Sequence, residues 1–231
     1  ASTKTAQINA YEFTQYFETF LSQGKDVLHI CLSSGITGVL NAAQMAKNEL
    51  EDKYPDRSIY LVDSLAASAG SGLLVERLAD LRDEGMDIEQ LWQWVQENKL
   101  RVNHWFFSSD LKYYIRGGRI SKTVAIAGSL LSIKPVVSVV DGEVALLGKA
   151  RGSRQGNNFL IQQIQKDGID FSRPFFLGYT GLSDALLQKY ISDSAEIWKE
   201  HVDHLPIGTI GGAIGTHVGP GAIAVAFFTE K

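Results

Sequence analysis

Hydroxyl-bearing residues and glycines follow the first apolar run of the chain, in the order Ser33-Ser34-Gly35-Ile36-Thr37-Gly38. In an open α/β sheet, ligands bind at such a turn, beyond the carboxyl end of a strand and at the start of a helix. Unpaired N–H groups there, together with the hydroxyls, can bind a carboxylate or a phosphate. The alternative is that Ser34 or Thr37 only caps the helix. The turn has no GxxxxGK[ST] or GxGxxG pattern, which argues against a nucleotide.

Arginine–glycine segments are the next candidates for an anion site. Arg116 and Arg119 flank Gly117-Gly118, and glycine permits positive φ and close backbone approach. Arg151 lies in a similar segment, Ala150-Arg151-Gly152. Solvated arginines on plain loops are the alternative interpretation of both segments.

His217 lies among glycines in Gly215-Thr216-His217-Val218-Gly219. The imidazole is sterically open there, and near neutral pH it can both donate and accept hydrogen bonds. It is therefore a candidate ligand contact, with a simple turn residue as the alternative. No GxSxG elbow of a serine hydrolase follows a strand. Metal-ligand spacing is absent among the four other histidines, which are His29, His104, His201 and His204.

Alternating strands and helices must position these residues. An amphipathic helix with apolar residues from Tyr11 to Leu21 precedes strands at 27–32 and 58–62. Each strand is followed by a helix, the first at 37–50 and the second ending near Gly85. Strand–loop–helix repeated twice predicts a doubly wound, parallel α/β/α domain.

The second half of the chain predicts a mixed or antiparallel sheet. Asp141-Gly142 separates apolar strands at 136–140 and 143–147, which is a strong hairpin signal. We expect one domain at residues 1–98 and a second α/β domain at 99–231. Its other elements are strands at 102–107, 175–180 and 206–210, a last strand after Gly221, and helices at 110–115, 155–167 and 183–200.

Composition limits the class of protein. Net charge is −4 with no basic block, so the electrostatic footprint of a nucleic-acid-binding protein is missing. The single cysteine, Cys31, lies in an apolar run and fits a small buried side chain in a reducing compartment. The most apolar stretch, 123–140, is interrupted by Gly128, Lys134 and Pro135. We therefore expect a cytoplasmic protein without stable membrane insertion or a signal peptide.

Seven short motifs occur in a distinctive order and spacing along the chain. They are TAQ at 5–7, SSGITG at 33–38, VDS at 62–64, RGGRIS at 116–121, IKP at 133–135, ARG at 150–152 and THVGPGA at 216–222. In order and spacing they resemble the DegV family, whose members are similar to the fatty-acid-binding subunits of bacterial fatty acid kinase. The resemblance covers essentially the whole chain.

The resemblance implies a fold and a ligand. It implies two α/β domains with one acyl chain in an apolar tunnel between them, and no cofactor or metal. The family's carboxylate contacts correspond to Thr5 and Thr37, with Ser33, Ser34 and Gly38 in the same turn. Arg116, Arg119, Arg151 and His217 are then expected near the carboxylate or on the partner-facing surface. The apolar wall is expected to include Ile126, Leu130, Leu131, Ile133, Phe175 and Phe176.

The chain departs from the family pattern at three places. Ala6 replaces the serine of T-S-Q, and Ile36-Thr37-Gly38-Val39 replaces L-S-G-T. Thr37 retains a hydroxyl, but its extra methyl restricts the rotamer. A typical member also has a first strand and a D-S-T motif ahead of T-S-Q. We expect that strand, central to the first sheet, to lie outside this sequence.

The resemblance predicts a carrier that holds one long-chain fatty acid and has no turnover alone. An ATP-binding kinase subunit would phosphorylate the presented carboxylate to an acyl phosphate. Two alternatives remain open. One is a subunit like that of dihydroxyacetone kinase, in which His217 binds a small ketone covalently. The other is a regulatory interaction protein with an incidental lipid.

Overall fold

The computed structural model describes residues 3–120 and 133–230. Its first half forms a small parallel sheet with helices around it. The elements in chain order are α1 (Ala10–Leu21), β1 (Val27–Cys31), α2 (Val39–Lys53), β2 (Ile59–Asp63), α3 (Ala69–Asp83) and α4 (Ile88–Asn98).

The rest of the described chain begins with a short 3-10 helix, Lys99–Arg101, and then enters a second sheet. Its strands are β3 (Val102–Phe107), β4 (Ile133–Val140), β5 (Glu143–Arg151), β6 (Phe175–Tyr179), β7 (Ile207–Thr209) and β8 (Ile223–Phe228). Its helices are α5 (Lys112–Gly117), α6 (Gly152–Asp167), α7 (Ala185–Asp193), α8 (Ala195–Trp198) and α9 (Gly212–Val218).

The two sheets differ in strand direction. β1 and β2 run parallel, and the larger sheet has the order β5-β4-β3-β8-β6-β7. All its neighbouring pairs are antiparallel except β6 and β7. This confirms the predicted α/β class with a parallel first sheet and a mixed second sheet.

Helix α1 fixes the direction of the polar segment before it. Asn9 and Glu12 form a reciprocal capping box, so the helix begins at a defined residue. Its apolar face buries Phe13, Phe17 and Leu21 in one core with Cys31 and α2. Residues 3–8 therefore leave this core in a fixed direction, which places Thr5 and Gln7 beside the ends of other elements.

Helix α3 joins the two sheets. Leu73, Leu74 and Leu78 of this helix share a buried core with Val62 of β2 and with Val102, Ala226 and Phe228 of the second sheet. Burying such side chains contributes roughly 1.5–3 kcal/mol each. The sheets are thus held in one arrangement, and a cavity between them has fixed walls on this side.

The edge of β1 away from β2 has no strand partner among the described residues. A groove of about 610 Å³ lies beside β1, lined by apolar residues that include Leu28, Ile30, Val75 and Met86. The expected additional strand of the first sheet stays a prediction.

Two sequence expectations in the second half were wrong in detail. The helix predicted at 183–200 is divided at Ser194, whose hydroxyl donates to the Tyr190 carbonyl and accepts from the Trp198 indole N–H. Such side-chain bonds compete with the helix backbone. The segment before Gly219, for which no helix was predicted, forms helix α9. Its glycines lowered the sequence signal for a helix because each costs about 1 kcal/mol relative to alanine.

Candidate functional site

An apolar cavity of about 60 Å³ lies between the two sheets. The loops after β1 and β2 contribute Ile36, Ala67 and Ser68 to its wall. The second sheet and its helices close the other side with Phe106, Tyr114, Val137, Ser138, Val139, Val144, Ile214 and Val218. The strand residues did not stand out in the sequence, because a cavity wall and a core have the same apolar pattern.

A polar vestibule of about 200 Å³ adjoins the cavity. Arg119 and His217 line both spaces, so the two meet at these side chains. Within the described chain, the vestibule lining contains no carboxylate. The remaining lining residues are Thr3, Lys4, Thr5, Arg116, Gly117 and Thr216. An apolar space that ends at an uncompensated positive charge suits an amphiphile with an anionic head.

Thr5 and His217 form the polar pair at this junction. The Oγ1 atom of Thr5 lies 2.8 Å from Nε2 of His217. Burial, and secondarily the charge of Arg119, lowers the pKa of His217 below its ordinary value. The imidazole is therefore neutral at neutral pH. Its Nδ1 is buried and has no hydrogen-bond partner among the described residues.

Gly117 makes room for this imidazole. A Cβ atom built on Gly117 would lie 2.2 Å from Nδ1 of His217, which no real side chain tolerates. Gly118 has a different reason to be glycine, since its φ is +68° at the end of α5. The two glycines thus show the close approach and the positive φ that their position between arginines suggested.

The hydroxyls of Ser33 and Ser34 are bonded inside the protein. Ser33 Oγ is buried and donates to the Gly142 carbonyl at 2.6 Å. Ser34 donates through both its hydroxyl and its N–H to Asp63. In this structure, the two serines hold the turn in shape and have partners other than a ligand.

Thr37 and Gly38 lie next to the segment that carries Thr5. Thr37 Oγ1 is 3.5 Å from Oε1 of Gln7, and a Cβ on Gly38 would come within 3.1 Å of the same atom. Gly38 is the N-cap of α2, and no side chain caps this helix. The alternative that Ser34 or Thr37 caps the helix is therefore wrong. Gln7 lies within one of the sequence motifs, yet nothing in the sequence singled it out as a contact.

The two outer arginines are placed differently. Arg116 is exposed, lines the vestibule and lies over the ring of Tyr113 at 5.6 Å. Arg151 is exposed at the start of α6, where its N–H donates to Gln155 Oε1 at 2.6 Å. It lines neither the cavity nor the vestibule. Its expected role toward a partner stays a prediction.

The residues expected in the apolar wall lie partly in other cores and partly outside the described chain. Phe175 belongs to a core with Leu177 and Trp198, and Phe176 packs against the core that joins the sheets. Neither lines the cavity of about 60 Å³, and their place in the wall of a longer acyl-chain site stays a prediction. Both side chains satisfy the apolar pattern through ordinary packing. The side chains of Ile126, Leu130, Leu131 and Ile133 lie outside the described residues.

Elsewhere in the described part of the chain, the buried titratable residues Cys31 and His104 show no sign of a second reactive site. Cys31 is buried, and burial raises the pKa of its thiol to about 11, far from a reactive thiolate. His104 is buried, and burial lowers its pKa to about 4. Across residues 3–120 and 133–230, no group of three or more histidine, cysteine, aspartate or glutamate residues could hold a metal ion.

The fold and the cavity define an α/β protein with two sheets and an internal apolar site that ends at the polar vestibule. The family model described as "Uncharacterised protein, DegV family" matches residues 1–230. A DegV domain-containing protein of Clostridium perfringens is 37% identical over 98% of this chain and 77% of its own length. The chain therefore belongs to the DegV family.

Solved structures of similar proteins contain fatty acids. The Fatty Acid Kinase (Fak) B3 protein of Streptococcus pneumoniae, loaded with linoleic acid, matches with a TM-score of 0.87 and 23% identity, over 100% of this chain and 79% of that one. A fatty acid binding DegV family protein of Streptococcus agalactiae matches with a TM-score of 0.82 and 25% identity, over 99% and 79%. In the part of this chain that the structure describes, no helix is both long and apolar enough to cross a membrane.

Proposed function

We propose that this protein binds one long-chain fatty acid and presents its carboxylate to the ATP-binding subunit of a fatty acid kinase. The observation that supports this most is the junction at His217 and Arg119, where the apolar cavity meets the cationic vestibule. The acyl chain occupies the cavity and the carboxylate lies at the vestibule. A relative solved with linoleic acid and another described as fatty acid binding support the same ligand class.

The apolar wall supplies the binding free energy. Each buried CH₂ contributes about 0.8 kcal/mol, so a C16 chain offers on the order of 10 kcal/mol before the costs of binding. The cavity among the described residues has room for about four to six water-sized groups. A long chain therefore either extends past these residues or separates the walls.

The vestibule binds the carboxylate head group of the fatty acid through neutral hydrogen-bond donors and a nearby positive charge. Because His217 is neutral and its buried Nδ1 is unpaired, we place the proton on Nε2, which donates to Thr5 Oγ1. The hydroxyl hydrogen of Thr5 is then free to donate to the carboxylate. Arg119 adds favourable charge, and Thr37 with Gly38 extends the site from α2. Without such partners, burying a carboxylate costs several kcal/mol.

The remaining parts of the proposal concern the partner and the architecture. Phosphoryl transfer belongs to the kinase subunit, so this chain is a carrier and not an enzyme, and it acts in the cytoplasm. Arg116 and Arg151 are exposed and available to that partner. We place the boundary between the two domains after Asn98, where α4 ends and the chain crosses to the second sheet.

Reconstitution tests the function. The protein loaded with palmitate is mixed with ATP and a fatty acid kinase ATP-binding subunit, and acyl phosphate is trapped as the hydroxamate. Product is expected only when protein, fatty acid and kinase are all present. Product formation without this protein, or no product despite bound palmitate, would contradict the presentation role. A mass adduct of dihydroxyacetone on His217 would instead support the sugar-kinase-like alternative.

A further inference from the structure

The tip of the β4–β5 hairpin is pressed against the loops of the first sheet. Ser33 Oγ donates to the carbonyl of Gly142 at 2.6 Å, and both residues are buried. A Cβ on Gly142 would lie 2.6 Å from Ser33 Oγ and 2.9 Å from Leu65 Cδ2. A Cβ on Gly35 would lie 2.7 Å from the Gly142 carbonyl oxygen. The contact is so close that only glycine fits on either side of the Ser33 hydrogen bond.

Backbone strain is concentrated at this contact. Among the described residues, three non-glycine residues have positive φ: Leu65 at 50°, Ser68 at 54° and Asp141 at 50°. The Asp141-Gly142 turn requires this conformation, but Leu65 and Ser68 adopt it without a hairpin to explain it. Leu65 touches the hairpin tip, and Ser68 lines the cavity beneath it.

The outer half of the hairpin has no ladder pairing with β3, and it packs through Val139, Val144 and Leu146 against a small core of the second sheet. β3 pairs with β4 only from Val136 to Ser138, and beyond Ser138 the hairpin leaves β3, whose residues 102–104 continue beside β8. A β-bulge between Val136 and Val137 leaves Leu147 as the extra residue on β5. A bulge interrupts the ladder and bends the strand that contains it. The outer hairpin is thus joined to the sheet at an irregular point and held at its tip by the loops of the first sheet.

The cavity lies directly under this segment. Val137, Val139 and Val144 line it from the hairpin, while Ile36 and Ser68 line it from the opposite loops. Separating the tip from these loops would open the apolar wall to solvent without disturbing the core around α3.

We propose that residues 139–146 form a lid over the apolar cavity, with the β-bulge as its hinge and the Ser33–Gly142 hydrogen bond as its latch. An apolar ligand enters and leaves when the lid lifts. The identity of that ligand rests on the proposed function, whereas the lid itself does not.

Ser33→Ala removes the latch donor while keeping the backbone. Association and dissociation rates of palmitate, followed by stopped-flow fluorescence, should both rise by roughly threefold to tenfold, the factor for one neutral hydrogen bond. The dissociation constant should change less than either rate. Ser172→Ala is the matched control, because its hydroxyl binds Asp170 and lies away from the hairpin and the cavity. Unchanged rates in Ser33→Ala, or equal changes in both variants, would overturn the proposal.

Ser33 Oγ also accepts from the Gly35 N–H, so Ser33→Ala alters the loop as well as the latch. Gly142→Ala tests the same movement from the hairpin side. Its added Cβ would lie 2.6 Å from Ser33 Oγ and 2.9 Å from Leu65 Cδ2, so the hairpin tip must move away from the loops. Palmitate exchange should accelerate as in Ser33→Ala, whereas Gly72→Ala, whose Cβ meets nothing within 4 Å, should leave the rates unchanged. If Gly142→Ala exchanges palmitate at the rate of the unaltered protein, the hairpin is not the entry route.

Hydrogen exchange gives a readout that needs no ligand. Amides of residues 139–146 should exchange faster in ligand-free Ser33→Ala than in the unaltered protein, while those of α3 should not change. If palmitate binds to none of the proteins, the proposed function fails. Hydrogen exchange then decides by itself whether residues 139–146 form a lid. Unaltered exchange at the hairpin tip would overturn it.

Discussion

The Nε2 atom of His217 lies 2.8 Å from the Oγ1 atom of Thr5, although 212 residues separate them along the chain. The pair stands where the apolar cavity ends and the cationic vestibule begins. A neutral imidazole that donates to Thr5 leaves the threonine hydroxyl free for a carboxylate. The proposed head-group site therefore depends on a contact between segments that are 212 residues apart in the sequence.

Thr5→Val keeps the side-chain volume and removes the hydroxyl. We expect palmitate affinity to fall by about tenfold, because one hydrogen bond to a charged group contributes roughly 1.5–3 kcal/mol and neighbouring donors replace part of it. Affinity for palmityl alcohol, which has no charge, should fall much less. Thr19→Val is the control, since that hydroxyl only donates to the Tyr16 carbonyl in α1. Isothermal titration measures all four combinations, and equal losses for acid and alcohol would contradict the assignment.

Gly117→Ala should displace the His217 imidazole, because the new Cβ would meet Nδ1 at 2.2 Å. We expect a loss of about 1–3 kcal/mol in unfolding free energy and weaker palmitate binding. Gly215→Ala introduces the same methyl in α9, where a Cβ meets nothing within 4 Å. It should be neutral or stabilise the helix by up to about 1 kcal/mol. Urea denaturation compares the two, and equal stabilities would show that Gly117 makes no room for His217.

Val139 and Val140 are neighbours on opposite faces of β4. Val139 lines the cavity, whereas Val140 is exposed. Val139→Phe should fill the apolar space and weaken palmitate binding by more than tenfold, with a smaller effect on octanoate. Val140→Phe should bind both acids normally. If both variants bind palmitate as the unaltered protein does, the chain does not occupy this cavity.

His104 should make the protein less stable in mild acid. Its Nε2 accepts the Ala67 N–H, and burial lowers its pKa from 6.5 to about 4. Between these values the unfolded chain binds a proton that the folded chain does not, so stability falls as pH falls from about 6.5 to about 4. The loss is on the order of 3 kcal/mol at the lower end. Urea titrations at several pH values measure it.

His104→Asn removes the titrating group and keeps a polar side chain, so it should flatten this pH dependence. The exposed His204→Asn serves as its control. A pH dependence that is the same in His104→Asn and in the unaltered protein would exclude His104 as the source.

The sequence predicted the fold well where local patterns decide the structure. The strand around Cys31 and the Asp141-Gly142 hairpin follow from apolar runs and turn chemistry, and the structure confirms both. Helix α9 escaped prediction because four glycines mask a helix that tertiary packing stabilises through Ile214 and Val218. Tertiary context can override propensity in this way.

The candidate site could be predicted only in part. Thr5 and His217 were named from separate motifs, but no local pattern could show that they touch. The bond from Ser33 to Gly142 spans 109 residues and gives that serine a partner on the hairpin. The wall at Val139 and Ile36 was not foreseen, because an apolar side chain that lines a cavity cannot be told from one that fills a core. These relationships arise when the two sheets pack together.

Mass spectrometry of an organic extract from the purified protein tests the central proposal most directly. The extract is quantified against the protein, and native mass spectrometry of the same sample gives the ligand count per chain. We predict one long-chain fatty acid per chain, with greatly reduced occupancy in Val139→Phe purified in the same way. A protein without bound lipid that also fails to take up added palmitate would contradict the carrier function.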